Sequence, residues 1–304
     1  MIKLLNLICN EQMKTYRRAQ TWVMAILLIG LVVMMSLMMN DKAQKDWKTH
    51  TQETLQFYKQ DDTANRPGAK EQVALLEARL DRNMPTSPLW QDVRQMSVLV
   101  SLITVFTVVV AADSVAGEFG GGTIKMLLIR PIRRWKILLS KYISSFLFTL
   151  AMLVLLFGTS ILVSMFAHGF DFGHLAYLDL NSQGEVVERN ILITIFSSYG
   201  LELISLIMIV TMAFMVSTLF RGSSMAIGIS LFALFAGNSV TMMLKKFEWS
   251  KYLLFPNMNL SQYISGPLLY EGTTVLFSLL VLATYFIVFN VVSWTVFCKR
   301  DVAN

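Results

Sequence analysis

The sequence predicts an all-α polytopic membrane protein with six transmembrane helices, and three observations lead to this fold class. Of the 304 residues, 55% are hydrophobic and only 15% are charged, and the mean hydropathy is +0.55. The apolar residues come in runs of about 20, the length that a helix needs to cross roughly 30 Å of hydrocarbon. Positive charge gathers in alternate connections between these runs, as it does on the cytoplasmic side of membrane proteins.

The distribution of Lys and Arg sets the predicted orientation. The segments placed in the cytoplasm contain 13 of the 26 Lys and Arg residues but only four of the 20 acids. The segments placed outside contain the other 13 Lys and Arg residues together with 15 acids. Because Lys and Arg resist translocation, both termini are predicted to be cytoplasmic. This distribution also accounts for the sequence pI of about 9.3, so no nucleic-acid partner is expected.

The chain is predicted to begin with an interfacial helix and a first span. Residues 1–19 carry an apolar stripe and a basic stripe at helical spacing, which is typical of an amphipathic helix on the inner membrane surface. Its basic face is expected to lie on the lipid headgroups. Residues 20–40 form the first span, with Trp22 at headgroup depth.

Residues 41–94 differ in composition from the spans around them. They hold nine basic and nine acidic residues and several prolines. Helical pieces are predicted at about 45–60 and 69–82, separated by a Pro-Gly break. This segment is therefore predicted to be a small extracytoplasmic helical cap.

The middle of the chain continues with two spans on either side of a basic loop. Residues 95–116 form the second span, and residues 117–136 form a cytoplasmic loop. Residues 137–167 form the third span, which leads into an acidic outer loop at 168–190. Asp113, near the inner end of the second span, is expected to be solvated and is given no special role.

The last third of the chain is predicted to hold three more spans. Residues 191–219 and 224–244 form the fourth and fifth spans, joined by a tight inner turn. Residues 245–272 are apolar but contain two prolines, so they are too broken to span and are predicted to form an outer re-entrant segment. Residues 273–297 form the sixth span.

Several chemistries lack support in the sequence. His50, His168 and His174 fall in outer segments without metal-ligand spacing, and they are expected to be polar surface residues. The chain contains neither a Gly-x-Ser-x-Gly motif nor a phosphate-binding loop, so neither an enzyme activity nor a metal site is predicted. Cys9 and Cys298 are placed in the cytosol, where a disulfide is not expected. No cleavable signal peptide is evident.

Glu202 is an acid within an apolar run, where an uncompensated charge is costly. Two interpretations remain open. If the fourth span begins near Ser198, Glu202 lies close to the outer interface and is either solvated or paired with a lysine. Otherwise it belongs to a transport pathway.

The cytoplasmic loop is the part of the sequence around which the other segments are arranged. From Glu118 to Lys141 it contains six positive charges against one acid. Three glycines relax the backbone, after which Thr123 is placed to cap a short amphipathic helix that Pro131 ends or kinks. An element of this kind on the inner surface is suited to bind a protein in the cytosol.

The pattern Glu118-x-x-x-Gly-Thr-Ile-Lys-x-Leu-Leu-x-x-Pro-Ile-x-Arg-x-x-Ile-x-x-Ser-Lys141 resembles the cytoplasmic motif of type-2 ATP-binding cassette (ABC) transporter permeases. These are exporter subunits that pair with a separate ATPase. The opening segment from Asn10 to Trp22 is also similar to the start of that family. The resemblance implies that the ATPase is bound by Glu118, Gly122, Thr123, Lys125, Leu127, Leu128, Arg130, Pro131, Arg134 and Lys141.

The resemblance further implies a permease subunit in the bacterial cytoplasmic membrane, with residues 118–131 as its coupling helix. Its expected partners are an ABC ATPase, a second permease chain and the lipid bilayer. ATP and Mg²⁺ are expected on the ATPase and no cofactor on this chain. The implied function is ATP-driven export of an amphipathic or lipid-like compound such as a peptide antibiotic.

Two other classes of function are left open. One is a membrane-anchored assembly or sensing protein that acts through its outer cap at 41–94. The other is a membrane enzyme, which the lack of a titratable cluster disfavours.

Overall fold

The computed structural model describes residues 2–43, 47–60, 69–84, 87–124, 132–169, 175–180, 185–263, 268–270 and 272–299. The described chain is mainly helical. The α-helices are α1 (Ile2–Arg17), α2 (Ala19–Ala43), α3 (Trp47–Lys59), α4 (Ala69–Asp81), α5 (Pro88–Gln95), α6 (Val100–Gly120), α7 (Arg134–His168), α8 (Ile191–Leu219), α9 (Ser223–Leu244), α10 (Leu254–Met258) and α11 (Val275–Lys299). Short 3-10 helices lie at Met96–Leu99, Glu248–Tyr252 and Leu260–Tyr263, and the strands are β1 (Ala176–Leu180) and β2 (Val186–Asn190).

Within the described residues, six helices are long and apolar enough to cross a membrane. They are α2, the continuous unit of α5 and α6, α7, α8, α9 and α11, and they contain 20 to 35 residues each. The prediction of a helical polytopic membrane protein is therefore confirmed. The second of these helices begins at Pro88 and not at 95, because a proline is well suited to the first turn of a helix. It also continues to Gly120, past the predicted inner end of the span.

The centre of the bundle is the contact between α6 and α8. Ala111 and Ala112 of α6 and Ala213 of α8 are fully buried there, and small side chains of this kind allow two helix backbones to approach closely. The hydroxyl of Ser217 on α8 also accepts from backbone amides of α6 at 3.0 Å. By contrast, α9 and α11 lie at the periphery and expose large apolar side chains such as Phe232.

The two ends of the bundle differ in structure. At one end, Lys14 of α1 bonds Glu118 at the end of α6, and Arg134 at the start of α7 bonds the Cys298 carbonyl near the end of α11. We call this the motif end. The first and last described helices both reach it. The opposite end carries α3, α4 and the strands, and we call it the cap end.

The cap end combines helices and a β-hairpin. Helices α3 and α4 pack side by side, joined by the 2.7 Å ion pair between Lys59 and Glu77, near the helical pieces that the sequence predicts. Arg79 of α4 donates to the Leu178 carbonyl of β1 at 3.0 Å. Strands β1 and β2 pair antiparallel from Ala176↔Asn190 to Leu180↔Val186, within the segment predicted as an outer loop. Aromatic and β-branched residues on both sides of a polar, Gly-containing stretch favour such a hairpin.

The described part of the segment between α9 and α11 contains short helical turns that pack on α8 and α11. The buried side chain of Asn257 connects different parts of the backbone of this segment. Its Nδ2 donates to the carbonyls of Lys251 and Leu253, both at 2.7 Å. Its Oδ1 accepts from the hydroxyl of Ser278 on α11, also at 2.7 Å. Side-chain bonds of this kind are what an irregular backbone needs where water is excluded.

Candidate functional site at the motif end

An ionic cluster of two lysines and two glutamates connects three helices at the motif end. Its members are Glu11 and Lys14 of α1, Glu118 of α6 and Lys141 of α7. The Nζ of Lys141 lies 3.0 Å from Glu11 Oε2 and 3.1 Å from Glu118 Oε1. Only 2% of the Lys141 side chain is exposed. Because a buried ammonium is stable only when it is paired, these two carboxylates provide the partners that a lysine needs at this position.

Lys14 completes the cluster from the more exposed side. Its Nζ lies 3.2 Å from Glu11 Oε1 and 3.0 Å from Glu118 Oε1, so each lysine contacts both acids and the cluster as a whole is neutral. Burial opposes the charged form of Lys14, yet the carboxylates of Glu11 and Glu118 raise its pKa above the ordinary value. The ammonium therefore stays charged at physiological pH.

Helix α1 meets the bundle with its polar face. Besides the ionic cluster, Gln12 donates from Nε2 to the Ser144 carbonyl of α7 at 2.9 Å. Leu5 and Met13, which belong to the apolar stripe, are exposed on the other side. Lys14 therefore faces the other helices of the chain, whereas the sequence-based interpretation placed the basic face on lipid headgroups. The apolar stripe is left free to contact lipid.

Glu118 has a third partner in the segment that follows α6. The Thr123 hydroxyl donates to Glu118 Oε2, and Gly122 between them has a φ of 69°, a left-handed conformation that favours glycine. The sequence-based interpretation assigns Glu118 to a basic residue of another protein. In the structure its carboxylate is bonded to Lys14, Lys141 and Thr123, and 13% of its side chain is exposed.

A second ionic contact lies beside the cluster and was missed by sequence reasoning. Arg18, at the junction of α1 and α2, pairs with Asp113 of α6, and the same carboxylate accepts a hydrogen bond from Ser223 at the start of α9. Arg18 and Asp113 both lie at the inner ends of predicted spans and therefore at a similar depth in the membrane. This similar depth was the sequence signal that could have indicated their pairing. Asp113 is thus part of a contact between helices and is not simply solvated.

The other residues of the motif are described in part. Arg134 donates from Nη1 to the Cys298 carbonyl at 3.3 Å. This carbonyl lies at the partly negative C-terminal end of α11, where a cation is stabilising. Ile124 is buried beside Val115 and Leu138, so it belongs to the core. The proposed partner-binding residues Lys125, Leu127, Leu128, Arg130 and Pro131 lie outside the described residues.

Glu202 is far from the ionic cluster, in the half of α8 nearer the cap end. Helix α8 begins at Ile191, about 16 Å before Glu202 at 1.5 Å per residue, and not near Ser198. Glu202 lines a cavity between α6, α8, α9 and α10. No described lysine or arginine pairs with it, so the lysine-paired interpretation does not apply to the described part of the chain.

The described residues contain no group of three or more His, Cys, Asp or Glu side chains that could hold a metal ion. His168 is not the polar surface residue that the sequence suggested. Its Nε2 lies 2.7 Å from Asp92 Oδ2, with 8% and 7% of the two side chains exposed. This pair joins the end of α7 to α5.

The fold and the site together define a multi-pass α-helical membrane protein whose helices are joined at one end by buried ion pairs. Residues 76–303 match the family described as "Protein of unknown function (DUF2705)", and the chain belongs to that family. It is 38% identical to the uncharacterized protein YhcI of Bacillus subtilis (strain 168), over 99% of this chain and 100% of that protein. It is 35% identical to the uncharacterized membrane protein YdbK of the same organism, over 66% of this chain and 78% of that protein.

Proposed function

We propose that this chain is the permease subunit of an ABC exporter and that residues 118–131 bind a separate ATPase subunit. The observation that carries this proposal is the motif from Glu118 to Lys141, with its leucine pair, proline and basic residues in order. The chain has no phosphate-binding loop, so the ATP and Mg²⁺ belong to the partner. The chain itself transports and does not catalyse.

We call residues 118–131 the docking segment, and contacts at its start and just after its end support this proposal. At its first residue, Glu118 is tied to α1 and α7 through the ionic cluster. After it, Arg134 is tied to the end of α11. A force applied to residues 118–131 would therefore act on α1, α6, α7 and α11 together, as a segment that transmits ATP-driven motion requires.

The proposed orientation places the motif end in the cytoplasm of a bacterial cell and the cap end outside. The excess of Lys and Arg at the motif end supports it. The segment between α9 and α11 then enters the membrane from outside and returns. A second permease chain, identical or a sister subunit, completes the transport path for an amphipathic or lipid-like compound.

Affinity purification of the tagged chain from its native host tests the proposal. We expect an ATP-binding subunit to co-purify and to hydrolyse ATP in the reconstituted complex. Arg130→Glu reverses a charge within the docking segment and should remove this subunit, whereas Lys245→Glu at the cap end should retain it. Purified wild-type chain that carries no ATPase, or equal retention by both variants, would refute the proposed function.

A membrane-anchored assembly or sensing protein is the second candidate, favoured by the packed cap of α3, α4 and the hairpin. Such a protein needs no ATPase. ATP turnover by the purified complex therefore separates the two candidates.

A further inference from the structure

We infer that the cavity lined by Glu202 is a binding site for an organic cation with an apolar body. The cavity has a volume of about 460 Å³ and lies between α6, α8, α9 and α10. This volume is within the range of small-molecule sites in proteins, roughly 300–1,000 Å³. We call it the Glu202 cavity.

The acidic side chain in the cavity has no basic partner among the residues that line it. The lining contains Glu202 and no lysine, arginine or histidine. Among the described residues, the Glu202 carboxylate has neither an ion pair nor a hydrogen-bond partner. An ionised carboxylate within a membrane helix is costly unless it is solvated or paired, so a cationic ligand supplies what the described residues do not.

The hydroxyl groups of the cavity add acceptors and not donors. Ser97 donates to the Arg94 carbonyl at 2.7 Å and Ser101 to the Val98 carbonyl at 2.7 Å. Likewise, Thr104 donates to the Val100 carbonyl at 2.9 Å. A hydroxyl carries one proton and two lone pairs. Because the protons are used within the chain, these side chains present lone pairs to a ligand, which favours a cation over an anion.

The hydroxyl of Ser205 on α8 also uses its proton within the chain, since it donates to the Met258 carbonyl at 2.5 Å. It therefore presents lone pairs to a ligand as well. Two asparagines, Asn238 and Asn259, complete the polar part of the lining, and the rest of the lining is apolar. Ile209, Leu234, Phe255 and Met258 surround the space and match a hydrocarbon or aromatic body. A bare metal ion would need several oxygen ligands and would leave these side chains without contacts.

Exposed apolar side chains lie at the edge of the cavity. Val98 and Phe235 line it, and they are 66% and 62% exposed. Since both lie on helices that can cross the membrane, a ligand reaches the site through lipid. This route requires an amphipathic molecule, in agreement with the apolar lining.

The role of the cavity as a substrate site rests on the proposed export function, but cation binding itself does not. Binding is therefore measured on the purified full-length chain in zwitterionic lipid nanodiscs, without ATP or an ATPase. The probe is radiolabelled tetraphenylphosphonium, and the competitor is tetraphenylborate, which has a similar shape and the opposite charge. Empty nanodiscs give the lipid background.

We expect saturable tetraphenylphosphonium binding that tetraphenylborate does not displace. Glu202→Gln keeps the size of the side chain but removes its charge, and it should weaken binding at least about tenfold, the effect of losing one charged contact. Glu248→Gln, at an exposed glutamate near the end of α9, is the matched control and should bind like the wild type. Ser101→Trp places a bulky ring at an exposed position of the lining and should block binding while the carboxylate remains, so it decides the question if Glu202→Gln does not fold.

The absence of saturable binding by the wild type, displacement by tetraphenylborate, or wild-type affinity in both Glu202→Gln and Ser101→Trp would overturn the inference. If the chain binds the cation but recruits no ATPase, the inferred binding site stands and only the proposed export function is refuted.

Discussion

The ammonium of Lys141 lies 3.1 Å from the Glu118 carboxylate, with 2% of the lysine side chain exposed. These two residues begin and end the motif, and both were expected to contact a partner protein. The structure makes them part of the contact between α1, α6 and α7. A mutation of either residue therefore changes the permease itself as well as any docking surface that follows it.

Removing Lys141 should destabilise the chain strongly. Lys141→Met leaves Glu11 and Glu118 close together with less positive charge, and breaking a buried ion pair from one side costs about 3–5 kcal/mol. We expect a clear fall in the melting temperature of the purified protein, measured by tryptophan fluorescence. Lys299→Met, an exposed lysine at the same end, should melt like the wild type.

A second substitution should restore the stability lost in Lys141→Met. Lys141→Met combined with Glu118→Gln leaves Glu11 and Lys14 as a neutral pair, so the double variant should melt above Lys141→Met alone. Additive losses would show that Lys141 and Glu118 are not energetically coupled.

The six spans could be predicted from sequence because apolar runs of about 20 residues are a local signal that needs no tertiary information. Helix α8 matches its predicted bounds of 191–219 because both ends are encoded locally. Asn190 accepts from the Leu192 amide as an N-cap, and a short turn containing Gly222 follows at the other end.

The ionic cluster could not be predicted because its members are distant in sequence. Glu11 and Lys141 are 130 positions apart, and a charged residue near the end of a span is usually solvated. Only the packing of α1 on α7 brings them together. Glu202 could be singled out from sequence because a single acid in an apolar run is unusual. Its cavity could not be predicted, because four helices, α6, α8, α9 and α10, form it together.

The native cysteines test the proposed orientation. Cys9 and Cys298 are both exposed and lie on α1 and α11, which both reach the motif end. A membrane-impermeant maleimide should leave both unlabelled in intact spheroplasts and label them after permeabilisation. A variant with both cysteines replaced by serine and with Gln52→Cys in α3 should show the reverse, with labelling in intact spheroplasts. Labelling of the wild type from outside would invert the orientation.

Asn257 should be essential for the segment between α9 and α11. Asn257→Ala removes the donor to two backbone carbonyls and the acceptor for Ser278. Each buried polar group left unsatisfied costs about 1–3 kcal/mol, so the melting temperature should fall markedly. Thr284→Ala is the control, because the exposed Thr284 hydroxyl donates at 2.9 Å to the Leu280 carbonyl within α11, a carbonyl four residues back in the same helix. Equal effects of the two variants would mean that Asn257 has no special role.

The close approach of Gly237 to Phe255 connects this segment to the Glu202 cavity. A Cβ added at Gly237 would overlap the Phe255 ring, and Phe255 also lines the cavity. Gly237→Ala should therefore displace the ring and destabilise the protein by about 1–3 kcal/mol, the usual effect of overpacking. Gly228→Ala, on the same helix with nothing within 4 Å of the added carbon, should be neutral or slightly stabilising, because alanine favours a helix.

Adding Phe255→Leu to Gly237→Ala makes room for the methyl group and should raise the melting temperature again. If the double variant melts below Gly237→Ala, the loss of the aromatic ring outweighs the clash, and the contact between α9 and α10 is not limited by the glycine.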